Sequence, residues 1–361
     1  MSPLSRSLRD HLPLRKPFCV PSRFSVPMAS EAVQCITCGH QCVIAPNGYG
    51  HCGTRKNVGG TLYAGNYGLV SLMAVNPMEK KPFFHYWPGE EALTIGSFGC
   101  NFDCFWCQNY DVSQTFPTVS QFPDFVSPEF LVATAQRKSS HAISFSFNEP
   151  TMSIEYVLDA LAQMNPLNIK GNFVTNGFMS PGVREALIAA KLDAACINIK
   201  GDAFAVQKHC YANVERVWEN VIAFARVGVH VELVTLVIPG INDALEVIEG
   251  IAKRIYRDLN PSTPWHLTRF HPDWQAPERG YTTPTPISTL EALRQRALGA
   301  GLKFVYIGNV PGHSGENTYC PACGALVIQR ELYDITPYYS VKNNLVNCKK
   351  CGQVLPIRLR S

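Results

Sequence analysis

Between residues 90 and 310, short apolar segments rich in β-branched residues alternate with segments whose apolar residues recur at helical spacing. Continuous apolar runs of this length are typical of strands that are covered on both faces. Two of the intervening helices are predicted to begin at Ser127-Pro128 and Ser180-Pro181, an N-cap followed by proline, and another is predicted to be capped at Thr151. The predicted strands are LTIGSFG, AISFSF, NFVTNG, AACINIK, HVELVTLVI, WHLTRFH and KFVYIGN.

Regular alternation of strand and helix predicts parallel strands joined by right-handed crossovers. In such α/β folds the chemistry gathers at the carboxyl ends of the strands. Each predicted strand here is followed by polar or glycine-containing residues, which favours a full or partial barrel, with an open sheet as the alternative. These residues are a three-cysteine loop, Asn148-Glu149-Pro150, Thr175-Asn176-Gly177, Lys200, Ile238-Pro239-Gly240, His271 and Asn309.

The composition changes on either side of this central region. Residues 31–89 are rich in cysteine and glycine, with a predicted β-ribbon at 61–75, and residues 316–361 carry two cysteine knuckles and little helical signal. The sequence therefore predicts four parts: a basic tail (1–30), a Cys-rich N-terminal region (31–89), the α/β domain (90–315) and a ribbon-like module (316–361).

The charge balance argues against a nucleic-acid partner. The net charge is +4, but residues 1–30 hold five basic residues and one acid, which leaves 27 of each sign in the rest of the chain. A nucleic-acid-binding protein is expected to carry a basic face on its folded part. No apolar run approaches the roughly 18–20 residues of a membrane span, so neither a membrane nor a nucleic acid is expected as a partner.

The first 30 residues are rich in arginine and serine and poor in acids, a composition typical of organelle transit peptides. A disordered extension, or a natural start at Met28, explains the same composition. We expect a cytoplasmic protein, with an organellar (mitochondrial) location as the alternative if the tail is a transit peptide.

Most of the 14 cysteines fall into three tight groups. C-x2-C spacing in a chain without a secretory signal favours reduced thiolates that bind metal over disulfides. The C-terminal group forms two knuckles, each followed by glycine, and predicts a closed tetrahedral site for zinc, with a mononuclear iron as the alternative. Its residues are Cys320, Cys323, Cys348 and Cys351.

A second group lies near the N-terminus, with His40 and His51 between its cysteines. The ligands suit zinc and an auxiliary iron–sulfur cluster equally. The four cysteines are Cys35, Cys38, Cys42 and Cys52.

The central group, Cys100, Cys104 and Cys107, has only three cysteines and follows the first predicted strand of the α/β domain. Three thiolates can hold three corners of a [4Fe–4S] cube and leave one iron without a protein ligand. Catalytic zinc sites likewise have three protein ligands and keep the fourth position for water or substrate. The alternative is a fourth ligand that is distant in sequence, Cys196 or Cys210.

This C-x3-C-x2-C motif, with the aromatic Trp106 before its last cysteine, resembles the signature of radical S-adenosylmethionine (SAM) enzymes. The resemblance implies a partial (β/α)6–7 barrel in which SAM chelates the open iron. It also implies reductive cleavage of SAM to methionine and a 5′-deoxyadenosyl radical, which abstracts a hydrogen atom from the substrate.

The resemblance assigns further residues to the binding of SAM. Asn148 and Glu149 look like the G-G-E motif, although a helix-N-terminal carboxylate is the alternative for Glu149. Asn176 follows the next strand. Asn198-Ile199-Lys200 resembles the D-x-K of glycyl-radical activating enzymes, with Asn198 in place of the acid.

Two further positions are implied near the cofactor by the same resemblance. Ile238 and Pro239 resemble the strand end that packs on adenine, and His271 resembles a histidine near SAM, with a structural histidine as the alternative.

The whole chain from about 33 to 358 is similar to pyruvate-formate-lyase activating enzymes and, within them, to the radical SAM member of the AmmeMemoRadiSam system. The segments that carry this resemblance include NPMEKKPFFHYWPG, FNEPT, TLVIPGIND and YIGNVPG. It implies hydrogen abstraction, with glycyl-radical activation as the first hypothesis and modification of another peptide or a small molecule as the second. A zinc-ribbon binding module with a structural cluster is the alternative of another class. The implied partners are SAM, a reducing electron donor and an unidentified protein or small-molecule substrate.

Overall fold

The computed structural model describes residues 11–360. Within them the chain forms two compact units, each assembled from three separate stretches of sequence. The first unit comprises residues 11–75, 92–193 and 207–220, and the second comprises residues 76–91, 194–206 and 221–360. Among the helices of these residues, none combines the length and the apolar character that a membrane span requires.

Six short strands precede residue 65 in the first unit. They pair antiparallel in two small sheets, with strand orders β1-β6-β5 and β2-β3-β4. The strands are β1 (Val20–Pro21), β2 (Ser25–Pro27), β3 (Val33–Cys35), β4 (Val43–Ile44), β5 (Arg55–Val58) and β6 (Thr61–Ala64).

The described part of the expected tail is folded. Leu12 and Phe18 are buried in a cluster with Leu69, and β1 pairs with β6. The expectation of a disordered extension therefore does not hold for residues 12–27, because their apolar side chains have core partners far along the sequence. Residues 1–10 lie outside the described residues.

Eight strands form the main sheet, which is largely parallel, as the α/β pattern predicts. Their order is β14-β13-β12-β11-β10-β9-β8-β7, and the seven predicted strands are all present, with β7 as an eighth. The strands are β7 (Leu72–Pro77), β8 (Glu91–Gly96), β9 (Ala142–Phe145), β10 (Lys170–Thr175), β11 (Ala194–Asn198), β12 (His230–Val237), β13 (Trp265–Arg269) and β14 (Val305–Gly308). This arrangement is consistent with the partial barrel, and the expected ribbon at 61–75 is instead divided between β6 and β7.

The helices occupy the connections between these strands. Ser127 and Ser180 cap their helices as predicted, since each hydroxyl accepts a backbone N–H from three residues on. Thr151 is not the cap of the next helix, because Glu149 caps a short 3-10 helix, Pro150–Ser153, that precedes it. The helices are α1 (Tyr110–Ser113), α2 (Pro128–Arg137), α3 (Ile154–Met164), α4 (Pro181–Ala189), α5 (Ala203–Cys210), α6 (Val214–Arg226), α7 (Leu245–Asp258) and α8 (Ile287–Gly299).

The C-terminal part of the second unit forms two antiparallel three-stranded sheets, in the orders β15-β16-β17 and β18-β19-β20. Val327, Val346 and Leu355 are buried in their core together with Cys320 and Cys348. The strands are β15 (Thr318–Tyr319), β16 (Leu326–Glu331), β17 (Asp334–Pro337), β18 (Tyr339–Lys342), β19 (Leu345–Cys348) and β20 (Val354–Leu355).

Residues 76–91, which we term the strap, are held in the second unit by the buried carboxylate of Glu232. The backbone N–H groups of Phe84 and His85 donate to its two oxygens at 3.0 and 2.8 Å. His230 and His266 contact the same oxygens at 3.0 and 2.8 Å. Burial raises the pKa of Glu232, but the two histidines outweigh it and hold that pKa well below its ordinary value.

His85 of the strap should make the stability of the protein depend on pH. Its Nδ1 donates to the Pro356 carbonyl and its Nε2 accepts from the Tyr306 hydroxyl at 2.6 Å, which requires a neutral ring. Burial lowers the pKa of His85 to about 3, against about 6.5 when unfolded. Below pH 6.5 the unfolded chain therefore binds the extra proton, and stability falls as the pH is lowered.

We expect a loss approaching about 1.4 kcal/mol per pH unit from this residue between pH 6 and 4. His85→Gln does not titrate in this range, so urea unfolding at several pH values should show a shallower slope for this variant. Equal slopes for the variant and the wild type would contradict the assignment.

Candidate functional site

The three-cysteine loop begins directly after β8 in the first unit. Gly99, at φ +93, must be glycine, because a Cβ atom there would lie 2.4 Å from Cγ2 of Thr54. Asn148, at the end of β9, fixes this turn from the other side. Its Oδ1 accepts the N–H of Ser97 at 2.9 Å and its Nδ2 donates to the Gly99 carbonyl at 3.0 Å. The loop is thus tied to the neighbouring strand end before its first cysteine.

The sulfur of Cys100 has hydrogen-bond donors around it. The Phe102 N–H lies 3.4 Å from this sulfur and the Nδ2 of Asn176 lies 3.8 Å from it. Burial, then Glu149 and the other two loop thiols, raise the pKa of Cys100 well above its ordinary value. A positive charge beside this half-buried sulfur would favour its ionised form, and a bound metal ion supplies one.

The loop thiols do not form a compact ligand set of the kind that surrounds a single ion. Four sulfurs around one ion with 2.3 Å bonds lie about 3.8 Å apart, whereas the outer sulfurs of a [4Fe–4S] cube are each bound to a different iron and lie farther apart. Within residues 11–360, Cys100, Cys104 and Cys107 do not form a set whose ligand atoms all lie within 4.8 Å of one another. The [4Fe–4S] cluster that the motif implies stays a prediction for these three residues.

Cys210 was the alternative fourth ligand, and its position argues against that role. Its sulfur lies 3.5 Å from that of Cys104, which is too close for two corners of a cube. Cys196 is fully buried on β11 in the second unit, with its sulfur 3.7 Å from the Pro82 carbonyl oxygen.

Glu149 binds the ends of two strands together. Its Oε1 accepts from the hydroxyls of Thr151 and Thr175 at 2.5 and 2.7 Å and from the Thr151 N–H at 3.1 Å. Its Oε2 accepts the N–H of Asn176 at 2.8 Å. The carboxylate therefore lies at a helix N-terminus, as the alternative interpretation expected. One lone pair of Oε2 is left for a ligand. Burial raises the pKa of Glu149 against these hydrogen bonds.

Asn176 connects the end of β10 to the cysteine loop. Its Nδ2 donates to Oδ1 of Asn101 at 2.7 Å, in addition to its contact with Cys100. Asn101 itself escaped the sequence analysis, because an asparagine between two cysteines has no distinctive spacing.

Trp106 lies in a buried aromatic cluster of the first unit. Its ring is 4.6 Å from that of Phe105, edge to face, and 5.8 Å from that of His209 at the end of α5. A contact between the backbone of this segment and the adenine of SAM, which the resemblance implies opposite Ile238 and Pro239, stays a prediction.

The other residues expected near SAM belong to the second unit. Nζ of Lys200 donates to Oδ1 of Asn198 at 3.0 Å. Ile238 is fully buried, Pro239 is half-buried and His271 is exposed. Their contacts with SAM also stay predictions.

Asn242, which the sequence analysis missed, holds the strand end at Ile238 and Pro239 in place. Its Nδ2 donates to the carbonyls of Lys200 and Leu236, and its Oδ1 accepts the N–H of Ile238 at 2.7 Å. A signal was available, since the residue stands in the quoted segment TLVIPGIND.

The four C-terminal cysteines form a compact tetrahedral group. The sulfurs of Cys320 and Cys351 are 3.6 Å apart and those of Cys323 and Cys348 are 3.7 Å apart. All four sulfurs lie within 4.8 Å of one another. Sulfurs that surround a single ion are expected to lie about 3.8 Å apart. This is the closed mononuclear site that the knuckles predict, and its geometry suits zinc and iron alike.

Comparison with known proteins gives consistent results. The model of the radical SAM superfamily matches residues 94–251, a range that includes the three-cysteine loop. An uncharacterised protein of Methanocaldococcus jannaschii is 38% identical over 327 residues, which cover 91% of this chain and 96% of that protein.

Two solved structures align with parts of this chain. A radical SAM methyltransferase from Sphaerobacter thermophilus aligns with a TM-score of 0.50 at 13% identity, over 86% of this chain and 81% of that one. A domain of pyruvate-formate lyase-activating enzyme from Bacteroides vulgatus aligns with a TM-score of 0.39 at 18% identity, over 46% of this chain and 98% of that one.

Proposed function

Because this chain belongs to the radical SAM superfamily, we propose that it cleaves SAM reductively at a [4Fe–4S] cluster ligated by Cys100, Cys104 and Cys107. The observation that carries the proposal is the open set of three cysteines at the end of β8, inside the region that matches the family. When bound, the cluster supplies the electron that splits SAM, and its unligated iron supplies the binding site for the cofactor.

The protein's own residues hold this loop and surround it with donors. Asn148 fixes the turn that precedes Cys100, and Asn176 positions an amide N–H near the Cys100 sulfur. The remaining lone pair of Glu149 Oε2 is suited to accept a hydrogen bond from the ammonium group of SAM. Glu149 thus serves both as a structural link between β9 and β10 and as an anionic group for the cofactor.

We propose that the substrate is a partner protein and that a backbone glycine of this partner gives up the hydrogen atom. The support is the resemblance of Asn198-Ile199-Lys200 to the D-x-K of activating enzymes. In this chain Lys200 pairs with a neutral amide, so the pair keeps a net positive charge, which suits a carboxylate of SAM or of a peptide. A glycyl doublet in the EPR spectrum of a co-incubated partner tests this step, and its absence favours another peptide or a small molecule.

SAM cleavage itself is tested by anaerobic reconstitution with iron and sulfide, followed by dithionite and SAM. Wild-type protein should release 5′-deoxyadenosine. Cys104→Ala should lose about four irons per chain and the nucleoside, because one corner of the cube has no ligand.

Cys210→Ala is the matched control for this experiment. It removes a sulfur 3.5 Å from that of Cys104 without removing a proposed ligand, so the iron content and nucleoside release should persist. Loss of iron from Cys210→Ala would make that residue a ligand, and no nucleoside from well-reconstituted wild type would exclude the proposed activity.

A further inference from the structure

The four N-terminal cysteines converge on one site within the first unit. Cys35, Cys38 and Cys52 are each 6–7% exposed and Cys42 is half-buried. Cys38 and Cys52 lie in one buried cluster with Met152. Cys42 packs against the buried cluster that contains Cys35, and the Cys35 N–H donates to the Cys42 carbonyl at 2.8 Å. The short spacing between Cys35 and Cys38 joins these two pairs into one set.

This set is less compact than the C-terminal group. In residues 11–360 the C-terminal cysteines form a group whose ligand atoms all lie within 4.8 Å of one another, whereas no three of Cys35, Cys38, Cys42 and Cys52 meet that limit. A tetrahedral zinc site requires separations of about 3.8 Å. Neither the N-terminal set nor the Cys100 loop forms such a compact group within residues 11–360, whereas the C-terminal cysteines do.

The surroundings provide hydrogen bonds for thiolates. The Thr37 hydroxyl is 3.4 Å from the Cys35 sulfur, and the Thr54 hydroxyl is 3.2 Å from the Cys52 sulfur. The guanidinium of Arg55, fully buried, lies close enough to lower the pKa of Cys35 against the effect of burial. Arg55 is itself paired with Glu155 at 2.7 and 2.8 Å, so the pair as a whole adds no net charge beside the sulfurs.

The N-terminal cysteines also lie beside the three-cysteine loop. Nε2 of His40 donates to the Asn101 carbonyl at 2.7 Å, and Nε2 of His51 lies 3.3 Å from a carboxylate oxygen of Asp103. A Cβ atom on Gly99 would lie 3.3 Å from the Cys52 carbonyl oxygen. The two cysteine sets are thus on loops in direct contact.

We propose that Cys35, Cys38, Cys42 and Cys52 ligate a second iron–sulfur cluster, closed by four protein thiolates, next to the loop of Cys100. Since all its corners are held by the protein, this cluster has no open iron with which to bind SAM. The site goes beyond the proposed SAM cleavage and does not depend on it.

Metal and sulfide analysis of the reconstituted full-length protein tests the proposal without an activity assay. Wild type should contain about eight irons, about eight sulfides and, at most, one zinc per chain, from two cubes and the C-terminal site. About four irons together with about two zincs would assign zinc to the N-terminal cysteines and overturn the proposal.

A variant with alanine at residues 100, 104 and 107 isolates the N-terminal site. It should retain about four irons with equal sulfide, and after dithionite reduction its EPR signal should be unchanged by SAM. A variant with alanine at 35, 38, 42 and 52 should lose the EPR signal that SAM leaves unchanged. Cys19→Ala, outside the three groups, should keep the full iron content. A folded 100/104/107 variant, checked by circular dichroism, that holds no iron and sulfide would overturn the proposal.

Failure here is distinguishable from failure of the proposed function. A wild-type protein that releases 5′-deoxyadenosine with only about four irons supports SAM cleavage and excludes the second cluster. A protein with about eight irons that releases none supports the second cluster and excludes SAM cleavage.

Discussion

Arg55→Ala is expected to lower the free energy of unfolding by about 3–5 kcal/mol, because it leaves Glu155 buried without its countercharge. Arg55 is fully buried and forms a two-point ion pair with Glu155 at 2.7 and 2.8 Å. Its Nη2 also donates to the Met152 carbonyl. Burial raises the pKa of Glu155, but Arg55 outweighs it and keeps the carboxyl ionised in the folded chain.

Urea unfolding of apo protein measures this loss without a contribution from metal. The matched control is Arg216→Ala, which removes a partly exposed pair with Glu219 and should cost no more than about 0.5 kcal/mol. Replacing both buried partners, as Arg55→Met with Glu155→Leu, should recover much of the loss, because no unpaired charge remains. An Arg55→Ala variant as stable as Arg216→Ala would contradict the prediction.

Removal of the C-terminal metal is expected to unfold the two small sheets that carry β15–β20. Binding of a structural metal by four thiolates contributes on the order of 10 kcal/mol. The ligands Cys320 and Cys348 are themselves core residues of these sheets, so the loss of the ion removes the cross-link at the centre of the core.

Hydrogen exchange before and after chelation measures this effect. Amides of β16 and β19 should lose protection in chelated protein and in Cys320→Ser, while Lys350→Ala, an exposed position within a knuckle, should retain metal and protection. Protection that survives complete metal removal would show that the apolar core is sufficient. The metal recovered on chelation distinguishes zinc from iron.

The sequence predicted the parts of the fold that depend on local pattern. Seven strands of the main sheet follow from apolar runs, and the caps at Ser127 and Ser180 follow from Ser-Pro pairs. The folding of residues 12–27 and the place of β7 were not predictable, because both depend on partners distant in sequence.

The same division applies to the candidate site. The strand-end rule identified Asn148, Glu149 and Asn176, which the structure brings together around the cysteine loop. It did not reveal that Glu149 accepts two threonine hydroxyls, nor that Cys210 lies beside Cys104. These contacts depend on side-chain directions that a linear pattern does not contain.

The attachment of the strap to Glu232 has a consequence for synthesis on the ribosome. Its partner carboxylate lies 147 residues after His85, and translation at 5–20 residues per second takes about 7–30 s to produce it. During that interval the segment PFFHYW, largely buried in the finished protein, has no acceptor for its backbone N–H groups at Glu232. Chaperones that shield aromatic segments would therefore protect this segment from aggregation until Glu232 has been synthesised.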